Sequence, residues 1–287
     1  SFAAVDIKQN TAYHLVAAQT PSASRDRISK DKTLIDYYGE ILLSKAEGLE
    51  KLSKILVCDA YFTKIKFVDK VCKDTNFEFI SRLRDDANLR YLYYGKQSGG
   101  KGRPKEYSGK VNVKKIDKRK VKLIYDDKFV KIYSAIVNSV GLKRNIRLCY
   151  VEFTLKNGKK VVKLFYSTNL ERCAKQILKY YQARYQMEFI FRDAKQYAGL
   201  EQGQGRSENK LDFHFNASLT SISIGKGIAR NSTNIEESIS ISMQDVKTEL
   251  QNRNMLVRIF SIYGISHSLI KIGKKYKAVL NLGKIAA

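Results

Sequence analysis

A chain of 287 residues with 44% hydrophobic and 28% charged side chains can bury a sizeable core, which excludes a disordered polymer and a disulfide-stapled miniprotein. Its 53 Lys and Arg against 28 Asp and Glu leave a net charge of +25. Such an excess repels itself in the folded state and is usually matched to a polyanion; nucleic acid fits best, with a ribosomal partner or an anionic membrane surface as the other readings.

Residues 2–7 and 12–18 are short apolar runs around the polar link Lys8-Gln9-Asn10-Thr11, a pattern that predicts a hairpin. The first of these runs opens the chain without an initiator Met, so the chain reads as cut rather than started. Residues 21–32 form a polar, basic loop. Over residues 34–52 the positions Ile35, Tyr38, Leu42, Leu49 and Leu52 recur on one helical face. Residues 54–59 form a compact apolar run ending in Asp59, which reads as a buried strand; a short helix over 63–73 and a strand over 77–83 follow.

Beyond Arg84 comes a Gly-rich basic stretch, QSGGKGRPK at 97–105, and then β-rich runs at 121–125, 129–137, 146–155 and 161–166. Asn157-Gly158 between the last two is a hairpin turn signal. The basic run KKIDKRKVK at 114–122 reads as a DNA-backbone contact or as a charged strand edge. From 170 to 200, and again from 207 to 230, the pattern is helical; residues 231–287 are mixed and mainly helical. No cysteine pair among Cys58, Cys72, Cys149 and Cys173 has CxxC spacing, so a buried apolar role is expected rather than a zinc site. No signal-peptide pattern and no apolar run of membrane-spanning length is present. The order of elements is that of an α/β fold, and in such folds active sites gather at the carboxyl ends of strands, where Asp59 falls.

The stretch 180–195 concentrates the chemistry. Read as one helix of about 3.6 residues per turn, it places Tyr181, Arg184, Glu188 and Lys195 within about 60° of arc. Ile177, Tyr185, Phe189 and Phe191 flank this stripe, and Ala183, Met187, Ile190 and Ala194 lie opposite. A helix apolar nearly all round tends to be buried, so its polar stripe is expected to face a cleft. The i, i+4 pairs Arg184–Glu188 and Glu188–Arg192 would arise equally on a solvated helix, at about 0.2–0.5 kcal/mol each, and spacing alone leaves both readings open.

The pattern Tyr181-x2-Arg184-x3-Glu188-x6-Lys195 resembles the YREK signature of DDE transposases from bacterial insertion sequences. Ser167-Thr168-Asn169, residues 57–62 (VCDAYF), residues 79–84 (FISRLR), GRPK at 102–105 and residues 212–216 (DFHFN) are similar to family blocks in the same order. The resemblance covers roughly residues 1–230. It implies an RNase H-like core with a β-rich insertion before the glutamate helix, divided as 1–87 and 161–230 for the core, 88–160 for the insertion and 231–287 for a C-terminal helical region. It also implies metal-dependent cleavage and strand transfer of DNA phosphodiesters. Asp59 and Glu188 would be the catalytic metal ligands of a two-metal Mg²⁺ or Mn²⁺ site, and Tyr181, Arg184 and Lys195 would hold DNA phosphates. Lys101, Arg103, Lys105, Arg192 and His214 are secondary candidates for DNA contact. Transposon-end and target duplexes, a homodimer in the DNA complex and a bacterial cytoplasm complete the expectation.

One carboxylate of the family's three is not accounted for. An RNase H-like core resembles three strands before its first helix, and only two precede residue 34. The first strand and its Asp are therefore expected upstream of residue 1, and residues 1–287 alone are expected to be weak or inactive. Asp6 is the substitute, set against a turn acid at the head of the hairpin. A non-catalytic DNA-binding protein and an inactive remnant are the remaining alternatives.

Overall fold

The computed structural model describes residues 1–20, 32–97, 102–232, 241–265 and 274–285. The chain forms two compact units, Pro21–Arg184 and Ser1–Thr20 with Tyr185–Ala287. As expected from the element order, the protein is mixed α/β.

In the sheet unit, helix α1 (Leu34–Leu52) starts where the Asp36 carboxylate accepts from both the Thr33 amide, at 2.8 Å, and the Thr33 hydroxyl, at 2.6 Å. These bonds satisfy groups that a helix start leaves open. Its buried face is Ile35, Gly39, Leu42 and Ala46, the i, i+4, i+7, i+11 stripe of an amphipathic helix. At Gly39 a Cβ would lie 2.8 Å from Lys70 Cδ, so a larger residue there would push that flexible side chain aside. Lys70 belongs to α2 (Ile65–Asp74), which buries Phe67, Val68 and Val71.

One eight-stranded sheet carries the unit. Its strands are β3 (Ile55–Val57), β4 (Glu78–Arg82), β5 (Leu89–Leu92), β6 (Tyr107–Lys110), β7 (Lys122–Asp126), β8 (Val130–Ser139), β9 (Arg144–Thr154) and β10 (Lys160–Ser167). Their spatial order is β3-β4-β10-β9-β8-β5-β6, with β7 also paired to β8. Only β3 and β4 run parallel, with Val57 opposite Ile80. The β-rich runs form β7 to β10, and the turn between β9 and β10 uses Gly158 at φ +78°, as Asn-Gly hairpins require. On one face Ile80, Ile132, Cys149, Val151 and Phe165 pack against Ala174, Ile177 and Leu178 of α3 (Ala174–Ala183). On the other, Phe79 meets Phe67 of α2 and Tyr166 of β10, with ring centroids 5.9 and 6.1 Å apart.

In the hairpin–helix unit, β1 (Phe2–Asp6) and β2 (Thr11–Val16) form the expected hairpin, a two-stranded sheet with Ala4 opposite Tyr13. Around it stand α4 (Gln186–Tyr197), α5 (Glu208–Ser232), α6 (Met243–Ile262) and α7 (Lys274–Leu280). Ala12, Ile190, Ala194, Leu200, Leu219, Ile222, Met243 and Val246 form its core. Asn216 of α5 binds the strand end: its Oδ1 accepts from Ala17 N at 2.8 Å and its amide donates to Ala17 O at 3.1 Å.

The single helix read over 180–195 is two helices. Arg184 and Tyr185 stay in the right-handed helical region, but their bonding tightens to i, i+3: Arg184 N donates to Tyr181 O at 3.2 Å and Glu188 N to Tyr185 O at 3.0 Å. No Gly or Pro marks the break. Tyr181 packs on Phe165 of the sheet, with centroids 4.7 Å apart, and the exposed Tyr185 lies on Phe189, at 5.1 Å.

Candidate active site

Strand β3 stops hydrogen-bonding as a strand at Val57, but Cys58 N still donates to Ile80 O at 3.1 Å, so Asp59 leaves the sheet at its carboxyl end. There it caps a 3-10 turn, Ala60–Phe62, with its Oδ1 accepting from Tyr61 N at 2.8 Å. This bond sets the carboxylate's orientation. The residue is exposed, and its Oδ2 accepts no hydrogen bond among the described residues. A ring cluster supports the turn: Phe62 packs on Tyr38, Tyr61 and Phe67 at 5.5, 5.4 and 5.0 Å.

Tyr181 and Arg184 reach the same unit through α3, whose start is held from a distance. Ser167 Oγ donates to Glu78 Oε1 at 2.8 Å, Asn169 Nδ2 to Glu78 Oε2 at 3.3 Å, and Arg172 Nε to Glu78 Oε1 at 2.8 Å. Thr168 Oγ1 accepts from Phe79 N at 2.9 Å. The Ser-Thr-Asn segment and Arg172 thus clamp the end of β10 to the head of β4. Sequence reasoning placed this segment in a family block but missed Glu78 and Arg172; a Glu opening an apolar strand was the only signal for them.

The Arg184 guanidinium lies 5.6 Å from the centroid of the half-buried Tyr181 ring. Arg184 also acts on the end of β3. Burial pushes the Cys58 thiol up to about 12; the Asp59 carboxylate adds to that rise, and the Arg184 guanidinium opposes it. Asp59 and Arg184 both belong to the sheet unit.

Glu188, Lys195, Arg192 and His214 lie in the hairpin–helix unit. Glu188 is exposed in the first turn of α4, where the positive helix end favours a carboxylate. Lys195 stands seven residues on, about two turns away on the same face, and pairs with Glu201 at 2.6 Å. Arg192 pairs with buried Asp193 at 2.8 Å and lies 4.6 Å from the centroid of the Phe189 ring. Lys226 was not anticipated: it is 5% exposed and donates to Ala12 O at 3.2 Å, and burial lowers its pKa against the opposing pull of Asp193. His214 Nε2 lies 3.1 Å from both Gly199 O and Leu200 O, so this imidazole holds the turn after α4.

Of the basic loop candidates, Arg103 pairs with Glu106, and Lys105 lies 4.9 Å from the centroid of Tyr93 while its amide donates to Gln97 Oε1 at 2.9 Å. Lys101 lies outside the described residues. Within the basic run, Lys120 donates to Ser108 O at 2.7 Å, and an open depression is lined by Lys114, Lys115, Lys118 and Glu152, at a distance in sequence from every proposed catalytic group. Asp6 Oδ1 accepts from Lys8 N at 2.9 Å and Gln9 N at 3.0 Å, the bonding of a turn acid.

Among the described residues, no group of three or more His, Cys, Asp or Glu side chains gathers closely enough to hold a metal ion. The donor at Asp59 nevertheless suits a hard divalent cation: a carboxylate with one oxygen fixed by an amide and the other turned outward.

No curated protein matches the chain. The family model described as Transposase DDE domain matches residues 29–224, a span that runs from ahead of α1 into α5 and contains Asp59, Tyr181, Arg184, Glu188 and Lys195. With more than half of its length matched and a mixed α/β fold consistent with an RNase H-like catalytic domain, the chain belongs to the transposase DDE domain family.

Proposed function

We propose that this protein cleaves and joins DNA phosphodiesters in cut-and-paste transposition, with Asp59 and Glu188 as metal ligands. The observation that carries the reading is Asp59: a carboxylate at the carboxyl end of β3, oriented by Tyr61 N, in a chain of this family. A pair of Mg²⁺ or Mn²⁺ ions about 3.5–4 Å apart, when bound, would activate the attacking oxygen and stabilise the leaving one. The chain's own residues supply the rest. Asp59 presents Oδ2 to the metal, and Glu188 provides the second carboxylate. Arg184 offers a planar fork to a phosphate, Tyr181 buttresses that guanidinium, and Lys195 adds a compact positive charge. The +25 net charge draws the duplex and makes binding steeply dependent on salt.

The third carboxylate is not assigned to a residue of this chain. Asp6, with one oxygen already shared by two amides, is read as the turn acid. Cleavage by residues 1–287 is accordingly expected to be weak, and it is measured best as Mn²⁺-dependent nicking of supercoiled plasmid.

Asp59→Asn and Glu188→Gln should each lower the nicking rate at least about a hundredfold, or ~2.7 kcal/mol, while DNA affinity by fluorescence anisotropy stays within a few-fold. Nicking that survives in both variants would refute the catalytic reading. DNA binding with nicking that neither depends on Mn²⁺ nor responds to the two substitutions would leave a basic DNA-binding protein. Sedimentation of the same protein–DNA mixture tests the expected dimer, which a single-protomer complex would exclude.

A further inference from the structure

Ser81 sits in the middle of β4 with 0% of its surface exposed, and a buried hydroxyl needs partners. It finds them at both ends of the Asp59 turn. Its Oγ donates to Asp59 O at 2.9 Å and accepts from Thr63 Oγ1 at 3.0 Å. Thr63 closes the 3-10 turn that Asp59 opens, and its hydroxyl also lies 3.1 Å from Arg82 O. Behind it, Tyr166 OH donates to Thr63 Oγ1 at 3.3 Å. Tyr166 is fully buried, and burial pushes its phenol well up, so it stays protonated and donates.

The proton count gives the relay a direction. Ser81 has one proton and Asp59 O is its acceptor. Thr63 has one proton to share between Ser81 Oγ and Arg82 O, and Tyr166 supplies a proton to Thr63. The chain of hydroxyls therefore ends on the carbonyl of Asp59. Where β3 leaves the sheet after Cys58, the Asp59 carbonyl accepts from Phe62 N of its own turn at 3.2 Å, and the Ser81 hydroxyl adds the tie to β4.

We infer that Ser81 is a positioning residue for the Asp59 carboxylate, through a buried Tyr166–Thr63–Ser81 relay that fixes the turn carrying it. The inference rests on Asp59 being a metal ligand. Three contacts hold Asp59: the Ser81 hydroxyl from within the sheet and Phe62 N from the turn, at 3.2 Å, both donate to its carbonyl, and Tyr61 N donates to Oδ1. Outer contacts of this kind commonly change metal affinity about 10–100-fold when removed.

The test compares the full chain with Ser81→Ala, Thr63→Val and Asp59→Asn. Mn²⁺ affinity is read by electron paramagnetic resonance, and exchange of the Tyr61 and Phe62 amides by NMR. Ser81→Ala should weaken Mn²⁺ binding about tenfold or more and speed exchange at Tyr61 about tenfold, while amides of β8 and β9 keep their protection. Thr63→Val should move both readouts in the same direction, and it decides the matter if Ser81→Ala does not fold. Wild-type Mn²⁺ affinity and Tyr61 exchange in the folded variants would overturn the inference. Mn²⁺ binding that Asp59→Asn leaves unchanged would overturn the ligand role of Asp59 itself, and the positioning role with it.

Discussion

Replacing Glu78 by Ala tests how the start of α3 is held. The Glu78 side chain is 8% exposed and that of Arg172 23%, and the carboxylate serves Arg172, Ser167 and Asn169 together. Removing it strands a mostly buried guanidinium, and breaking a buried pair from one side costs about 3–5 kcal/mol. Arg172 retains its contact to Gln176 Oε1 at 3.3 Å and its place over the Tyr180 ring, and it reaches water partly, so the low end applies: ~3 kcal/mol. For a cooperative unit of this size, each kcal/mol shifts the melting temperature by roughly 2–4 °C, which gives a fall of about 6–12 °C. Urea titration followed by far-UV circular dichroism should show the midpoint falling at unchanged slope. The double variant Glu78→Ala with Arg172→Met should regain much of the loss, because an apolar replacement of both partners leaves no buried charge unpaired. A loss below about 0.5 kcal/mol, the size of an ordinary surface substitution, or a double variant no more stable than Glu78→Ala alone, would refute the reasoning.

Two further outcomes follow from single contacts. Asn216→Ala removes both bonds to Ala17 and the one to His14 Nε2 at 3.2 Å, and should destabilise the hairpin–helix unit by ~2 kcal/mol, with faster amide exchange in β2 as the local readout. The Thr33 hydroxyl, its amide and then Lys66 hold the Asp36 carboxyl at about 2, below its ordinary 3.8. A depressed folded pKa contributes stability that is present above 3.8 and lost as pH falls toward 2. Asp36→Asn should therefore flatten the acid limb of the stability curve in that window, by a small amount because the pair is solvent-screened; equal acid limbs for both proteins would sink the assignment.

Much of the local architecture was legible because it is written in short windows. The α1 stripe, the β-rich runs of β8 to β10 and the Asn157-Gly158 turn depend on residues within a few positions of one another, and each element formed close to where its run placed it. Strands β5 and β6 were not legible. Each has four residues, with Arg90 or Lys110 among them, and they become strands because β8 offers β5 an edge and β5 offers β6 one. The break at Arg184–Tyr185 was equally hidden, since no Gly or Pro marks it.

For the candidate site, the sequence by itself determined the residue types: an acid after an apolar strand, a helical Arg and Glu with a distant Lys, and a charge suited to DNA. Only the tertiary structure decided what each side chain does. Asp59 is held by Ser81, 22 residues away in sequence, and Ser167 and Asn169 by Glu78, 89 and 91 residues away. His214 proved to hold the turn at Gly199, and Asn216 to hold Ala17, 199 residues earlier. The physical reason is the range of the interactions. Periodicity and turn chemistry act through neighbours along the chain, so a single sequence displays them. A hydrogen bond between residues far apart exists only after the burial of apolar faces has chosen which segments meet.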